Sequence, residues 1–252
     1  MRFASLGSGS RGNATLIEAD STRILVDCGF SLTETRSRLA RLDVDAASID
    51  AILVTHEHSD HASGVSRLAA RFEIPVWCTA GTLNACGRFG IDSAELFNPH
   101  EEFAIGALQI TPVAVPHDAR EPSQFIFSDG DSRLGVLTDT GHITPHIERI
   151  FDGCQALLLE CNHDSERLLE GPYPASLKAR VGGPLGHLSN VQAASLLTAL
   201  DLSRLRHLVA AHLSDKNNTP QLAQAALAGA VGCEPDWIAV ADQIQGLDWR
   251  EL

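Results

Sequence analysis

A single mixed α/β (α+β) domain spanning residues 1–252 is the architecture this sequence predicts. Three observations carry that prediction. Short apolar runs rich in β-branched residues recur at 14–19, 22–27, 51–55, 107–115, 124–128 and 133–138, each bounded by turn-forming residues, as expected of strands. Helical spacing of apolar positions appears at 32–42, 60–73, 79–88, 143–151, 189–200 and 219–230, so helices and strands alternate instead of segregating. The chain, 44% hydrophobic, is long enough to bury one sizeable core, and no linker, repeat or low-complexity tract divides it.

Taken in order, residues 2–6 read as a strand running into a glycine turn. Gly7, Gly9 and Gly12 match the G-x-G-x-x-G spacing of a dinucleotide-binding loop, but that loop must open a helix whose N-terminus faces the pyrophosphate. Asn13 to Ala19 alternates like a strand, so a tight turn is expected there. The strand at 51–55 leads into the helix at 60–73 through a dense polar run. Residues 156–160 (Ala-Leu-Leu-Leu-Glu) and 206–211 (Arg-His-Leu-Val-Ala-Ala) are two further buried strands, each ending before a polar, His-containing segment, the kind of place where chemistry sits. The Gly- and Pro-rich stretch 171–186 is expected to be the one long surface excursion.

Composition removes several classes of protein. No stretch reaches the roughly 18 consecutive apolar residues of a membrane span, and Met1–Gly9 lacks the apolar core of a signal peptide, so a cytoplasmic protein is expected. Six scattered cysteines without C-x-x-C spacing are expected to be reduced and mostly buried. A formal charge of −13 argues against an extended basic surface for nucleic acid. Bound divalent cations would reverse the sign locally.

The strongest chemical signal is Val54-Thr55-His56-Glu57-His58-Ser59-Asp60-His61, an H-x-H-x-D-H run at a strand end. On extended backbone, positions i and i+2 point the same way, so His56 and His58 can converge on one ion. Asp60 and His61, where the chain turns into a helix, can aim at a neighbouring point. Four residues cannot complete two coordination shells, and further ligands are expected at other strand ends: His117 after 107–115, Asp139 after 133–138 and His212 after 206–211.

The order of Asp27 in Leu-Val-Asp-Cys-Gly, H-x-H-x-D-H, His117, Asp139 and His212 resembles the metallo-β-lactamase superfamily along the whole chain. The resemblance implies a four-layer αββα sandwich with its site at one edge. It also implies two divalent metal ions, with His56, His58 and His117 on the first, Asp60, His61 and His212 on the second, and Asp139 bridging them. Asp27 would hydrogen-bond the ligands from behind and orient them. The chemistry expected is water activated between the ions, with no nucleophilic Ser or Cys. Imidazole and carboxylate ligands suit Zn, Mn and Fe alike.

Other segments bear on the substrate. Ser8-Gly-Ser-Arg-Gly-Asn13, Pro116-His-Asp-Ala119, Glu160-Cys-Asn-His-Asp164, Gly171-Pro-Tyr-Pro-Ala-Ser-Leu-Lys-Ala-Arg180, Gly186-His-Leu-Ser-Asn190 and His212-Leu-Ser-Asp-Lys-Asn-Asn-Thr-Pro220 together resemble the YycJ/WalJ-type bacterial proteins, regarded as 5′ exonucleases acting on DNA. Cys28 and Cys161 depart from the small residues expected at those positions. Asn162, Lys178, Arg180 and Lys216 are the expected substrate-binding residues, as donors to phosphate oxygens. His187 and His163, together with Asp60, are expected catalytic groups, His187 as a phosphate contact or proton donor to the leaving group. The alternative is a small-molecule hydrolase of a lactone, thioester or β-lactam, which would present a mainly apolar groove. His212 stands only 73 positions after Asp139, too few for an inserted cap domain. A compact nuclease is therefore expected, with a homodimer or a DNA-repair partner as its means of gripping long duplexes.

Overall fold

The computed structural model describes all 252 residues. The first half of the chain forms β1 (Arg2–Gly7), β2 (Ala14–Ala19), β3 (Thr22–Val26), α1 (Leu32–Arg41), β4 (Ala51–Leu53), α2 (Ser59–Ala62), α3 (Val65–Phe72), β5 (Val76–Cys78), α4 (Ala80–Cys86) and β6 (Glu95–Leu96). The second half forms β7 (Phe103–Ile105), β8 (Leu108–Ala114), β9 (Ser123–Ser128), β10 (Arg133–Leu137), α5 (Pro145–Phe151), β11 (Ala156–Glu160), α6 (Ser165–Glu170), α7 (Ala175–Val181), α8 (Asn190–Ala199), β12 (His207–Ala211), α9 (Pro220–Val231), β13 (Ala239–Val240) and β14 (Leu247–Glu251).

Two seven-stranded sheets result, with orders β14-β1-β2-β3-β4-β5-β6 and β13-β12-β11-β10-β9-β8-β7. Each is antiparallel on one side and parallel on the other: β3 to β6 run parallel in the first, β10 to β13 in the second. The last strand, β14, returns to pair antiparallel with β1 and so ties the C-terminus into the first sheet.

Period-two side-chain alternation sorts each strand between two cores. Ile24, Leu53, Leu158 and Val209 join Phe3, Phe125 and Phe127 in the core between the sheets. Their chain neighbours point outward. Leu25 and Ile52 meet Leu39, Val65 and Leu68 from α1 and α3, while Leu157, Leu159 and Leu208 meet Ile147, Phe151, Leu196 and Leu227 from α5, α8 and α9. The layers are therefore helix, sheet, sheet, helix, as expected. Truncating Phe125 or Phe127, both fully buried, to alanine would remove about 3–5 kcal/mol.

Several elements differ from expectation. The helix expected at 60–73 breaks at Ser63–Gly64 into α2 and α3. Gly64 donates its N–H to the Cys28 carbonyl at 2.8 Å, and a Cβ there would sit 1.9 Å from the Phe30 carbonyl oxygen, so tertiary contact interrupts the helix. The stretch 171–186 is not a bare loop, because α7 lies inside it. Strands β5, β6, β7 and β13 have only two or three residues, and β14 reads Leu-Asp-Trp-Arg-Glu. Such segments carry too little apolar pattern to register without their partners. Strand β2 follows Gly12, as the alternation of Asn13 to Ala19 predicts. No helix is long and apolar enough to cross a membrane. The six cysteines are free, five of them buried.

Candidate metal centre

The parallel strands deliver the polar residues, because their carboxyl ends lie along one edge of the sandwich. Asp27 follows β3, His56 to His61 follow β4, Asp139 follows β10, Glu160 ends β11 and His212 follows β12. Asp27, Asp139 and His212 have positive φ (61°, 51° and 55°), half of the six non-glycine residues in that region. A left-handed residue at the end of a strand turns the side chain out of the sheet's alternation, and backbone strain of this kind concentrates at functional sites.

The H-x-H-x-D-H segment is locked onto the residues after β3. Cys28 N–H donates to the His61 carbonyl at 2.8 Å, Asn13 N–H donates to the Asp60 carbonyl at 2.8 Å, and Gly29 packs so closely that a Cβ would lie 1.8 Å from that same oxygen. The fully buried Cys28 packs here with its thiol beside the Thr35 hydroxyl, 3.3 Å away.

Four overlapping sets of potential ligand atoms lie within mutual reach: His56, His58 and His117; Asp60, His61 and His212; His56, His61 and Asp139; and Asp139, Glu160, His187 and His212. The first two are the triads expected from the sequence. Asp139 stands between them, its Oδ2 3.2 Å from His61 Nε2 and its Oδ1 3.6 Å from His212 Nε2 and 3.9 Å from His117 Nε2. His117 Nε2 is 3.2 Å from His58 Nδ1, and Asp60 Oδ2 is 3.5 and 3.6 Å from His61 and His212 Nε2.

The nitrogens facing away from the cluster have fixed partners. His56 Nδ1 lies 2.9 Å from the Thr55 hydroxyl, His117 Nδ1 3.0 Å from the Gly186 carbonyl, His61 Nδ1 2.8 Å from Asp27 Oδ2 and His212 Nδ1 3.2 Å from Glu160 Oε1. By contrast His56 Nε2, His212 Nε2 and Asp139 Oδ2 are buried without any hydrogen-bond partner. Orphaned buried atoms of this kind are costly unless something unlike a hydrogen bond satisfies them. The donor set of five imidazoles and two carboxylates is chemically suited to divalent transition metals, so the residues fit such ions.

Burial and neighbouring imidazoles push the His56 pKa well below the usual imidazole value, and burial lowers His117, leaving both neutral with a lone pair to offer. Burial alone would do the same to His61 and His212. The carboxylates of Asp139, Asp60 and Asp27 outweigh it and raise His61 well above its ordinary value; Asp139, Asp60 and Glu160 raise His212 to about 10. Burial likewise works against ionisation of Asp60 and Glu160, yet the facing imidazoles hold both carboxylates below the usual range. Negative charge is thus concentrated where cations would sit.

A pocket of about 340 Å³ opens over the cluster, lined among others by Ser10, Asp60, Arg88, Asp118, Tyr173, Leu177, Arg180 and His187. His187 is held by Glu160 Oε1 at 2.8 Å, and Glu160 also accepts the N–H groups of Thr140 and Leu188. Ser189 caps the helix behind His187. Arg180 reaches the rim, where Asp118 binds its Nε at 2.6 Å. Asn162 lines the pocket, but its amide donates to the His212 carbonyl at 3.1 Å, which makes it a prop for that residue.

Three expected site residues lie elsewhere. Lys178 and His163 line a separate groove behind α7, between α6 and α8. Lys178 donates to the Leu169 carbonyl at 2.6 Å, and His163, 3% exposed, has no partner at Nδ1. The reason is helical period: Leu177, Arg180 and Val181 share the face toward the pocket, whereas Ala175, Lys178, Ala179 and Gly182 share the other. Lys216 lies outside the pocket as well, its backbone folded onto Ser214. The sequence reading gave no role to Glu160, Asp118 or Arg88. A carboxylate closing an otherwise apolar strand was a usable signal for Glu160; Arg88 had none.

The model of the beta-lactamase superfamily domain matches residues 22–212. Exodeoxyribonuclease YycJ of Bacillus anthracis is 33% identical over 228 residues, covering 89% of this chain and 86% of that protein. Exodeoxyribonuclease WalJ of Streptococcus pneumoniae is 32% identical over 255 aligned positions, covering 99% and 92%. Among solved structures, the metallo-beta-lactamase fold protein YhfI of Bacillus subtilis aligns over 100% of this chain and 99% of that one, with a TM-score of 0.77 at 15% identity, a likeness of fold.

Proposed function

The chain belongs to the metallo-β-lactamase superfamily, and from that premise we propose that it is a metal-dependent phosphodiesterase acting on DNA as a 5′-to-3′ exonuclease. The observation that carries this reading is the pair of three-residue sets meeting at Asp139, with unpartnered atoms pointing inward, beneath a pocket with arginines at its rim. His56, His58 and His117 would hold one cation and Asp60, His61 and His212 a second, with Asp139 reaching both. Two divalent cations, Zn²⁺, Mn²⁺ or Fe²⁺, supply Lewis acidity that lowers the pKa of water and neutralises charge on phosphoryl oxygens.

The protein's own groups do the rest. Asp27 and Glu160 hold Nδ1 of His61 and His212 and so turn Nε2 of both rings toward the cluster. His187, held at Nδ1 by Glu160, which raises its pKa against the effect of burial, lines the pocket and is placed to deliver a proton to the leaving oxygen. Arg180, fixed by Asp118, offers its remaining N–H groups to a phosphate. A lactonase, thioesterase or β-lactamase would be expected to have an apolar mouth, and here Leu177 and Val181 are the aliphatic side chains lining the pocket.

The test is to strip the protein with chelator, reload it with Mn²⁺ or Zn²⁺, and incubate it with end-labelled single- and double-stranded DNA and RNA. Progressive release of mononucleotides from the 5′ end of DNA is expected. Turnover of a lactone or thioester while labelled DNA stays intact would sink the proposal.

A further inference from the structure

Two side chains lining the pocket, Arg88 and Tyr173, have no charged or side-chain hydrogen-bonding partner within the protein, although the Arg88 guanidinium also lies over the Phe89 ring, 4.7 Å from its centroid. Arg88, on the turn after α4, uses one N–H on the Glu57 carbonyl at 2.7 Å and pairs with no carboxylate. The pocket's other guanidinium, Arg180, is already neutralised by Asp118, so Arg88 is the uncompensated cation of this pocket in a chain of net charge −13. Tyr173 is the chain's one tyrosine. It stands between Pro172 and Pro174, lines the same pocket as Leu177, and makes no side-chain hydrogen bond. Proline on both sides fixes the local backbone, so the ring is presented at little entropic cost.

We infer that the pocket holds one nucleotide at a time, its phosphate on Arg88 and its base stacked on Tyr173. This rests on the nuclease reading and adds the grip on the substrate. A guanidinium fork matches two phosphate oxygens, and an aromatic face stacks on any base, which suits an enzyme that must remove nucleotides irrespective of sequence. At about 340 Å³ the pocket is at the small end of ligand-sized cavities, so a terminal nucleotide must leave its stack to enter.

Calorimetric titration of metal-loaded protein with 2′-deoxyadenosine 5′-monophosphate and with base-free 2-deoxyribose 5-phosphate tests both contacts. Tyr173→Ala should weaken the nucleotide about tenfold and leave the sugar phosphate as in wild type, and Tyr173→Phe, which keeps the ring, should restore the difference. Arg88→Gln, which retains a donor for the Glu57 carbonyl, should weaken both ligands about tenfold at unchanged metal content. It should also reduce the slope of log DNA affinity against log salt by about one. If the wild type degrades DNA but both variants bind and cut as it does, the grip is wrong and the nuclease reading stands. If DNA is never cut, the nuclease reading falls; wild-type protein that binds nucleotide no better than sugar phosphate overturns the grip directly.

Discussion

Asp27 Oδ2 accepts the Nδ1 proton of His61 at 2.8 Å, with both side chains almost wholly withdrawn from solvent (5% and 1% exposed). That bond decides which His61 nitrogen faces Asp139. It also joins two strand ends, since Asp27 follows β3 and accepts the N–H and hydroxyl of Thr55, the residue before the H-x-H-x-D-H run.

Replacing Asp27 with Asn should therefore loosen the cluster without unfolding the chain, because Asn tolerates the left-handed backbone there. Metal affinity should fall about 10- to 100-fold. Chelator competition followed by elemental analysis measures it, and undiminished affinity would show that His61 needs no such anchor.

His187 is expected to act on the substrate while the metal-holding residues stay in place. His187→Gln should reduce kcat by about 10²- to 10⁴-fold with metal content preserved. A loss of metal in this variant would mean that His187 works through Glu160 and His212, to which it is linked.

Glycine positions separate site architecture from general stability. Gly29→Ala should remove roughly 2–4 kcal/mol of stability, since its Cβ would meet the Asp60 carbonyl at 1.8 Å. Gly229→Ala, within α9 with nothing within 4 Å, should instead stabilise by about 0.5–1 kcal/mol. Denaturant titration of the two variants should move in opposite directions.

Acid stability should depend on Glu18. It lies across from Arg2 on β1 and Arg23 on β3 and forms ion pairs with both. Burial would raise its pKa, but the two arginines outweigh burial and hold it below the ordinary carboxylate value of 4.5. A depressed folded-state pKa means the contribution is complete above that value and lost as pH falls through the folded pKa. Glu18→Gln should be less stable than wild type by about 1 kcal/mol at neutral pH, and the gap should close in acid. A gap that persisted at low pH would assign the effect to packing.

The candidate ligands were legible in the sequence because each stands at the end of a strand that is itself legible: Asp139 after Leu-Gly-Val-Leu, His212 after Leu-Val-Ala-Ala, and the H-x-H-x-D-H run after Ala-Ile-Leu-Val. Hydrophobic pattern fixes where such strands stop, and parallel pairing brings their carboxyl ends to one edge. The four layers follow from the same alternation, which leaves both faces of each sheet apolar. What the pattern could not register were β5, β6, β7 and β13, whose two or three residues are strands only because a neighbour pairs with them.

By itself, then, the sequence marked the candidate ligands at its strand ends through local periodicity and residue type, and its family resemblance implied the acid behind them and the layered fold. Tertiary structure alone decided what faces the pocket. Lys178 and Arg180 are neighbours in a motif, yet two residues on a helix are turned by roughly 200°, so only Arg180 reaches the pocket. Arg88 entered it from a turn that no motif marked, because the direction of an exposed side chain is set by packing between distant segments.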